Sequence, residues 1–179
     1  MYGGHVGIAL AGKGFRPATP LWVLLLATQL PDWTDAAVCV AGITSPPSAI
    51  LSHSLPAIAV LGGAIALLYY AASRDWAGAG LVGLTALSHA IADYATGLKP
   101  TWPGGPVIGL GLYGRPGVDF VLEAVVIAIG WMIYRGSLAA TRRRSSSVVL
   151  MLIASASSIR DVTMRAKVRV LSESSSVGS

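Results

Sequence analysis

Three stretches of this chain, SLPAIAVLGGAIALLYYAAS (54–73), WAGAGLVGLTALSHAIADYAT (76–96) and VDFVLEAVVIAIGWMIYR (118–135), are apolar runs of helical spanning length. A helix crosses the hydrocarbon core of a bilayer with about 20 apolar residues. Three such runs leave little chain for anything but membrane helices. A fourth segment, PLWVLLLATQLPDWTDAAVCVAGI (20–43), is long enough but interrupted by Pro31 and two aspartates. Proline removes a helical hydrogen bond, so this segment reads as a helix from about 20 to 31, then a break and a short apolar return or extension. The opening YGGHVGIALAGKGF reads as a short half-spanning or interfacial helix. A signal peptide built on Lys13, Arg16 and the run 21–27 is the alternative there, but no small-x-small cleavage site follows. The expectation is an all-α, polytopic membrane bundle of about four transmembrane helices plus a short N-terminal helix. A composition of 54% hydrophobic and 12% charged residues agrees with it.

Charge divides the chain into two parts. Across 1–136, Lys13, Arg16, Arg74, Lys99, Arg115 and Arg135 are matched by Asp32, Asp35, Asp75, Asp93, Asp119 and Glu123, so the whole net charge of +5 comes from 137–179. That Ser-rich, basic tail reads as a flexible or membrane-surface segment attracted to anionic lipid. Nucleic acid is not an expected partner, because no reader motif or aromatic platform accompanies the charges. The positive-inside rule places Lys13, Arg16, Arg74, Arg135 and Arg142 to Arg144 on the cytoplasmic side. Four spans then put Asp32, Asp35, Cys39, His53, His89, Asp93, Asp119 and Glu123 toward the other side. The protein is thus expected in the cell (inner or plasma) membrane, with its polar residues toward the non-cytoplasmic face.

Those polar residues are where chemistry is expected. Ionisable groups inside a span cost several kcal/mol unless paired, wetted or bound to a cation. His89 and Asp93 stand at i and i+4, as do Asp119 and Glu123, so each pair shares one helical face. Such pairs on adjacent helices converge on cations in carboxylate-bridged bundles. Each residue also has a plainer role open to it: His53 at a turn, Asp35 and Asp119 as helix caps, His5 near a terminus, a lone His89 as a helix–helix hydrogen-bonder. No Lys or Arg lies within the clusters to neutralise them, which makes a bound divalent cation the economical account of the set. Cys39 is the only cysteine, so thiolate clusters are excluded and imidazole with carboxylate suits zinc, with manganese or iron(II) as alternatives. Asp35 or Glu123, if not a ligand, is a candidate general base.

The motifs GHVGIALAG, LPDWTD, LSHSLP and LSHAIADYATGLKPTWPGG resemble, in order, those of the YdjM/YbcI-like family of inner-membrane metal-dependent hydrolases. The resemblance covers residues 1 to about 135. It implies that His5, Asp32, His53, His89 and Asp93 are metal ligands, with Asp35 fitting the acidic turn. The ligand order is also distantly similar to the helical zinc-dependent phospholipase C and P1 nuclease group. Here Asp119 stands where that group has a histidine, and a further histidine between Asp93 and Asp119 is missing. One or two cations therefore fit better than three.

The leading functional expectation is a membrane-bound hydrolase that cleaves a phosphoester of a lipid or lipid-linked substrate by metal-activated water. Lys99, Arg115 and the TWPGG loop are candidates to hold an anionic head group, although Pro100, Pro103, Gly104 and Gly105 also simply stop a helix. An ion- or proton-coupled transporter or channel subunit is an alternative, disfavoured by the small number of spans and by polar residues gathered at one face. A non-catalytic, metal-stapled membrane protein is the third. Small residues at Gly62, Gly63, Gly78, Gly80 and Gly83 would allow close helix approach in any of them. Oligomeric state is left open.

Overall fold

In this computed structural model the described residues are 2–43 and 47–138. The basic tail beyond Leu138 lies outside them. The described residues are mostly helical, in the order α1 (Tyr2–Phe15), α2 (Leu21–Val40), α3 (Pro47–His53), α4 (Leu55–Ser73), α5 (Trp76–Thr96) and α6 (Pro116–Ser137). Between α5 and α6 lies a small antiparallel hairpin, β1 (Lys99–Pro100) with β2 (Val107–Ile108), then a 3-10 turn at Leu112–Gly114.

Local chemistry sets these boundaries. Ser54 caps α4 by accepting the Ala57 amide, with Pro56 in the first turn where a missing N–H costs nothing. Arg74, in the left-handed region at φ 55°, ends α4, and Asp75 at once caps α5 through the Gly78 amide at 3.0 Å. The two helices therefore fold back on one another. Arg16, just past α1, grips Asp75 with Nη2 to Oδ1 at 2.8 Å and Nε to Oδ2 at 3.3 Å, which ties the end of α1 to the start of α5.

The expected break at Pro31 is absent: α2 runs through it, and Pro31 is fully buried. An internal proline costs about 3 kcal/mol, but in apolar surroundings unwinding would strip partners from several backbone groups instead of one. The continuous helix places Asp32 and Asp35 one turn apart on the same face.

Glycines bring two helix pairs to backbone contact. A Cβ on Gly130 of α6 would overlap the Gly7 carbonyl of α1, and one on Gly7 would lie 2.5 Å from the Val126 oxygen. Gly62 and Gly83 likewise face Ala86 and Ala66 across α4 and α5, whereas Gly63 and Gly80 have nothing within 4 Å. The small apolar core is Ala9, Val23, Leu24, Ala27, Ile65, Val82 and Ala86.

Two helices, α4 and α6, have both the length and the apolarity of membrane spans. Their outward faces carry exposed Val60, Leu67, Leu68, Phe120, Val121 and Met132. The expected count of four is not reached on that criterion, although α2 and α5 are as long at 20 and 21 residues. Pro31, Asp32 and Asp35 interrupt the apolarity of α2, and His89 and Asp93 that of α5. Those interruptions all turn inward together.

Candidate metal centre

Five side chains from four helices meet near one end of the bundle. His5 comes from α1, Asp32 from α2, His53 from the last residue of α3, and His89 and Asp93 from one face of α5. His89 Nε2 lies 3.2 Å from Asp93 Oδ2, and His53 Nε2 lies 3.2 Å from Asp32 Oδ1 and 3.4 Å from Asp93 Oδ2. The outer separations are 3.8 Å from His89 Nε2 to Asp32 Oδ1, 3.9 Å from His5 Nε2 to Asp93 Oδ1, and 4.0 Å from His5 Nε2 to Asp32 Oδ2. Ligand atoms about 2.1 Å from a tetrahedral cation stand roughly 3.4 Å from one another. The cluster has that spacing. It divides into two overlapping ligand groups, His5–His89–Asp93 and Asp32–His53–His89.

Tautomers sharpen the case. A carbonyl only accepts, so His89 Nδ1, 2.7 Å from the Thr28 oxygen, carries the proton, and in the neutral ring Nε2 points inward with a bare lone pair. His53 Nε2 hydrogen-bonds Asp32 Oδ1 at 3.2 Å, and its Nδ1 lies 2.7 Å from Ser52 Oγ, itself 3.2 Å from Asp35 Oδ1. Metal-ligating histidines are typically held by their second nitrogen in this way. His5 Nδ1 and Nε2 and His89 Nε2 are buried without a hydrogen-bond partner, and Asp93 Oδ2, likewise lacking one, has the Lys99 ammonium at 3.2 Å. Protonating every ring is a poor remedy, because His5 and His89 stack at 4.1 Å between centroids and 13° between planes, and two imidazolium charges there would repel. A divalent cation among the inward-facing nitrogens and carboxylates would satisfy His5 Nε2, His89 Nε2 and Asp93 Oδ2, though not His5 Nδ1.

Access is one-sided. The His5, His53, His89 and Asp93 side chains are almost wholly buried, whereas Asp32 is 25% exposed and Lys99 19%. Lys99, on β1, reaches in to 3.2 Å from Asp93 Oδ2.

The remaining candidates take other positions. Asp35 stands behind Ser52 and does not cap a turn, since α2 never breaks. Glu123 Oε2 accepts the Gly3 amide at 3.1 Å and so fastens the start of α1 to α6, which helps set His5 in place. Asp119 belongs to neither ligand group, although its Oδ1 is buried without a partner, and Arg115 is exposed at the start of α6. Sequence reasoning missed Ser52, the Thr28 carbonyl and Tyr113. Ser52 is at least adjacent to His53 in LSHSLP, but no sequence signal marks a backbone carbonyl. Tyr113 lies against Gly97, hydrogen-bonds Thr96 and lies within electrostatic range of Asp93, Asp119 and Asp32; burial raises its phenol above the ordinary value.

The family model described as YdjM inner membrane protein matches residues 1–167. The match runs past the resemblance read to about 135 and takes in part of the basic tail. No curated protein and no solved structure matches the chain.

Proposed function

The chain belongs to the YdjM inner membrane protein family, and from that premise we propose that it is a metal-dependent hydrolase of the membrane, cleaving a phosphoester of a lipid or lipid-linked molecule. The observation that carries this reading is the pair of buried imidazole nitrogens without hydrogen-bond partners, His5 Nε2 and His89 Nε2, facing the Asp32 and Asp93 carboxylates. His5, Asp32, His53, His89 and Asp93 would hold the cation, and zinc suits three imidazoles with two carboxylates and no thiolate. A bound divalent cation supplies Lewis acidity toward a phosphoryl oxygen and lowers the pKa of water.

The chain's own residues do the rest. Lys99 beside the cluster favours an anionic substrate: two carboxylates offset one divalent cation, which leaves the ammonium as surplus positive charge. A neutral ester would make no use of it. In hydrolysis the water oxygen joins phosphorus, the phosphorus–oxygen ester bond breaks, and the departing oxygen gains a proton. Asp32, the most exposed of the five, is the carboxylate an arriving water meets first. Asp35 and Glu123 act here as positioning residues for His53 and His5, not as bases. Lys13, Arg16, Arg74 and Arg135 all lie toward the opposite end of the helices, which supports a site toward the non-cytoplasmic side.

Metal analysis of detergent-purified protein is the first test. Roughly one or two zinc or manganese ions per chain are expected, and His89→Ala should abolish them. Absence of metal from the native protein sinks the reading. Metal without chelator-sensitive cleavage of a generic phosphodiester or short-chain phospholipid, a cleavage lost in Asp93→Asn, would leave a stapled structure and refute the hydrolase.

A further inference from the structure

The segment 98–114, LKPTWPGGPVIGLGLYG, covers the open side of the cluster and has one charged residue, Lys99. That residue turns inward to Asp93. The outward side is apolar: Leu98, Trp102, Val107, Ile108 and Leu110 are exposed, Leu110 at 71%. Loops over water normally show polar side chains and solvated backbone. This one shows apolar side chains instead.

Part of its backbone is bonded internally or to the helices beneath. Thr101 N and Oγ1 both donate to the Pro106 carbonyl, at 3.1 and 2.8 Å, and Gly105 N donates to Trp102 O at 2.9 Å. The Thr101 carbonyl takes the Leu55 amide at 2.8 Å, Tyr94 O takes the Leu110 amide at 2.9 Å, and the Tyr94 hydroxyl donates to Pro100 O at 3.3 Å. Pro100, Pro103 and Pro106 have no amide hydrogen to satisfy. Internal satisfaction of backbone polar groups is what lipid demands and water does not. Past the exposed Arg115 the chain enters the exposed apolar surface of α6 at Val118, Phe120 and Val121, and the segment bonds to the first residue of α4.

We propose that this hairpin is seated in the lipid of the membrane interface, so that the cluster opens to the bilayer and not to bulk water. Lys99 is then the cation that an amphiphile's anionic head group meets on arrival. The seating itself rests on the loop alone and holds whether or not the centre is hydrolytic.

Single cysteines placed by Val107→Cys and by Leu110→Cys in a Cys39→Ser background, labelled with an environment-sensitive dye, test it. The labelled full chain is reconstituted in phosphatidylethanolamine–phosphatidylglycerol vesicles, with Val60→Cys on the exposed face of α4 as the lipid reference. Both hairpin positions should be quenched by doxyl-labelled phospholipid to the extent of the reference. Iodide should quench them several-fold less than it quenches the free dye adduct. Strong iodide quenching with no lipid quenching overturns the proposal. Shielding from both quenchers overturns it too, because the face would then be covered by protein. Two separate positions guard against one that perturbs the fold, and metal content of the same samples reports independently on the centre.

Discussion

Ser52→Ala tests most directly whether the hydroxyl beside His53 holds that ring for a cation. The hydroxyl is fully buried and lies 2.7 Å from His53 Nδ1 and 3.2 Å from Asp35 Oδ1. Its removal leaves a ring nitrogen and a carboxylate oxygen without that partner, a cost of about 1–3 kcal/mol for buried groups. The ring also loses what fixes its angle, and loss of such an outer partner typically weakens metal binding by about 10–100-fold. In free energy that is about 1.4–2.7 kcal/mol. Because a ligand stabilises the folded state by RT ln(1 + [L]/Kd), the same amount, about 1.4–2.7 kcal/mol, should vanish from the zinc-induced gain at fixed saturating zinc. The assay is zinc competition against a chelating dye in detergent, paired with thermal unfolding with and without zinc. Ser52→Thr keeps the hydroxyl and should recover most of the affinity, while His53→Ala should lose more than Ser52→Ala. An unchanged Kd in Ser52→Ala, with His53→Ala also unaffected, would refute the placement of His53 in the centre.

Gly130→Val forces a side chain into the Gly7 carbonyl, and overpacking costs about 1–3 kcal/mol or more; lowered thermal stability together with weaker zinc binding is expected, since α1 carries His5. Lys99→Gln should keep the metal and lose affinity for inorganic phosphate in equilibrium dialysis, whereas loss of metal would place Lys99 in a purely structural role. The Gly78 amide, then the Arg16 guanidinium, hold Asp75 below its ordinary value of 3.8. A depressed carboxylate contributes stability above its unfolded pKa and loses it as pH falls through the folded one. The melting-temperature gap between wild type and Asp75→Ala should therefore be full near neutrality and close only below about pH 4. A gap that stays constant into that acid range would show that the capping carboxylate is not its source.

Helix existence was legible wherever apolar residues ran unbroken between turn residues, as from Leu55 to Ser73, because in such a segment only the backbone's own partners are at hand. Pro31 misled for the same reason turned around: its penalty is judged against water, and here the alternative to a helix is worse. The His89–Asp93 pair was legible because helical spacing fixes a shared face. The equally spaced Asp119–Glu123 pair was not, because spacing says nothing of what a face looks upon. Glu123 looks upon the Gly3 amide. Asp35 and Ser52 lie 17 residues apart and meet only through the packing of α2 on α3, which no local pattern encodes.

The seam between α1 and α6 joins the first described helix with the last. His5 leaves the ribosome more than a hundred residues ahead of Glu123 and Gly130, the groups that hold its helix in register. Until α6 arrives, the ring has no fixed place beside His89, and a cation meets only a partial ligand set. On the proposed reading, high-affinity capture of a cation waits until α6 has joined α1, and a filled centre would record that the two ends of this helical unit have met.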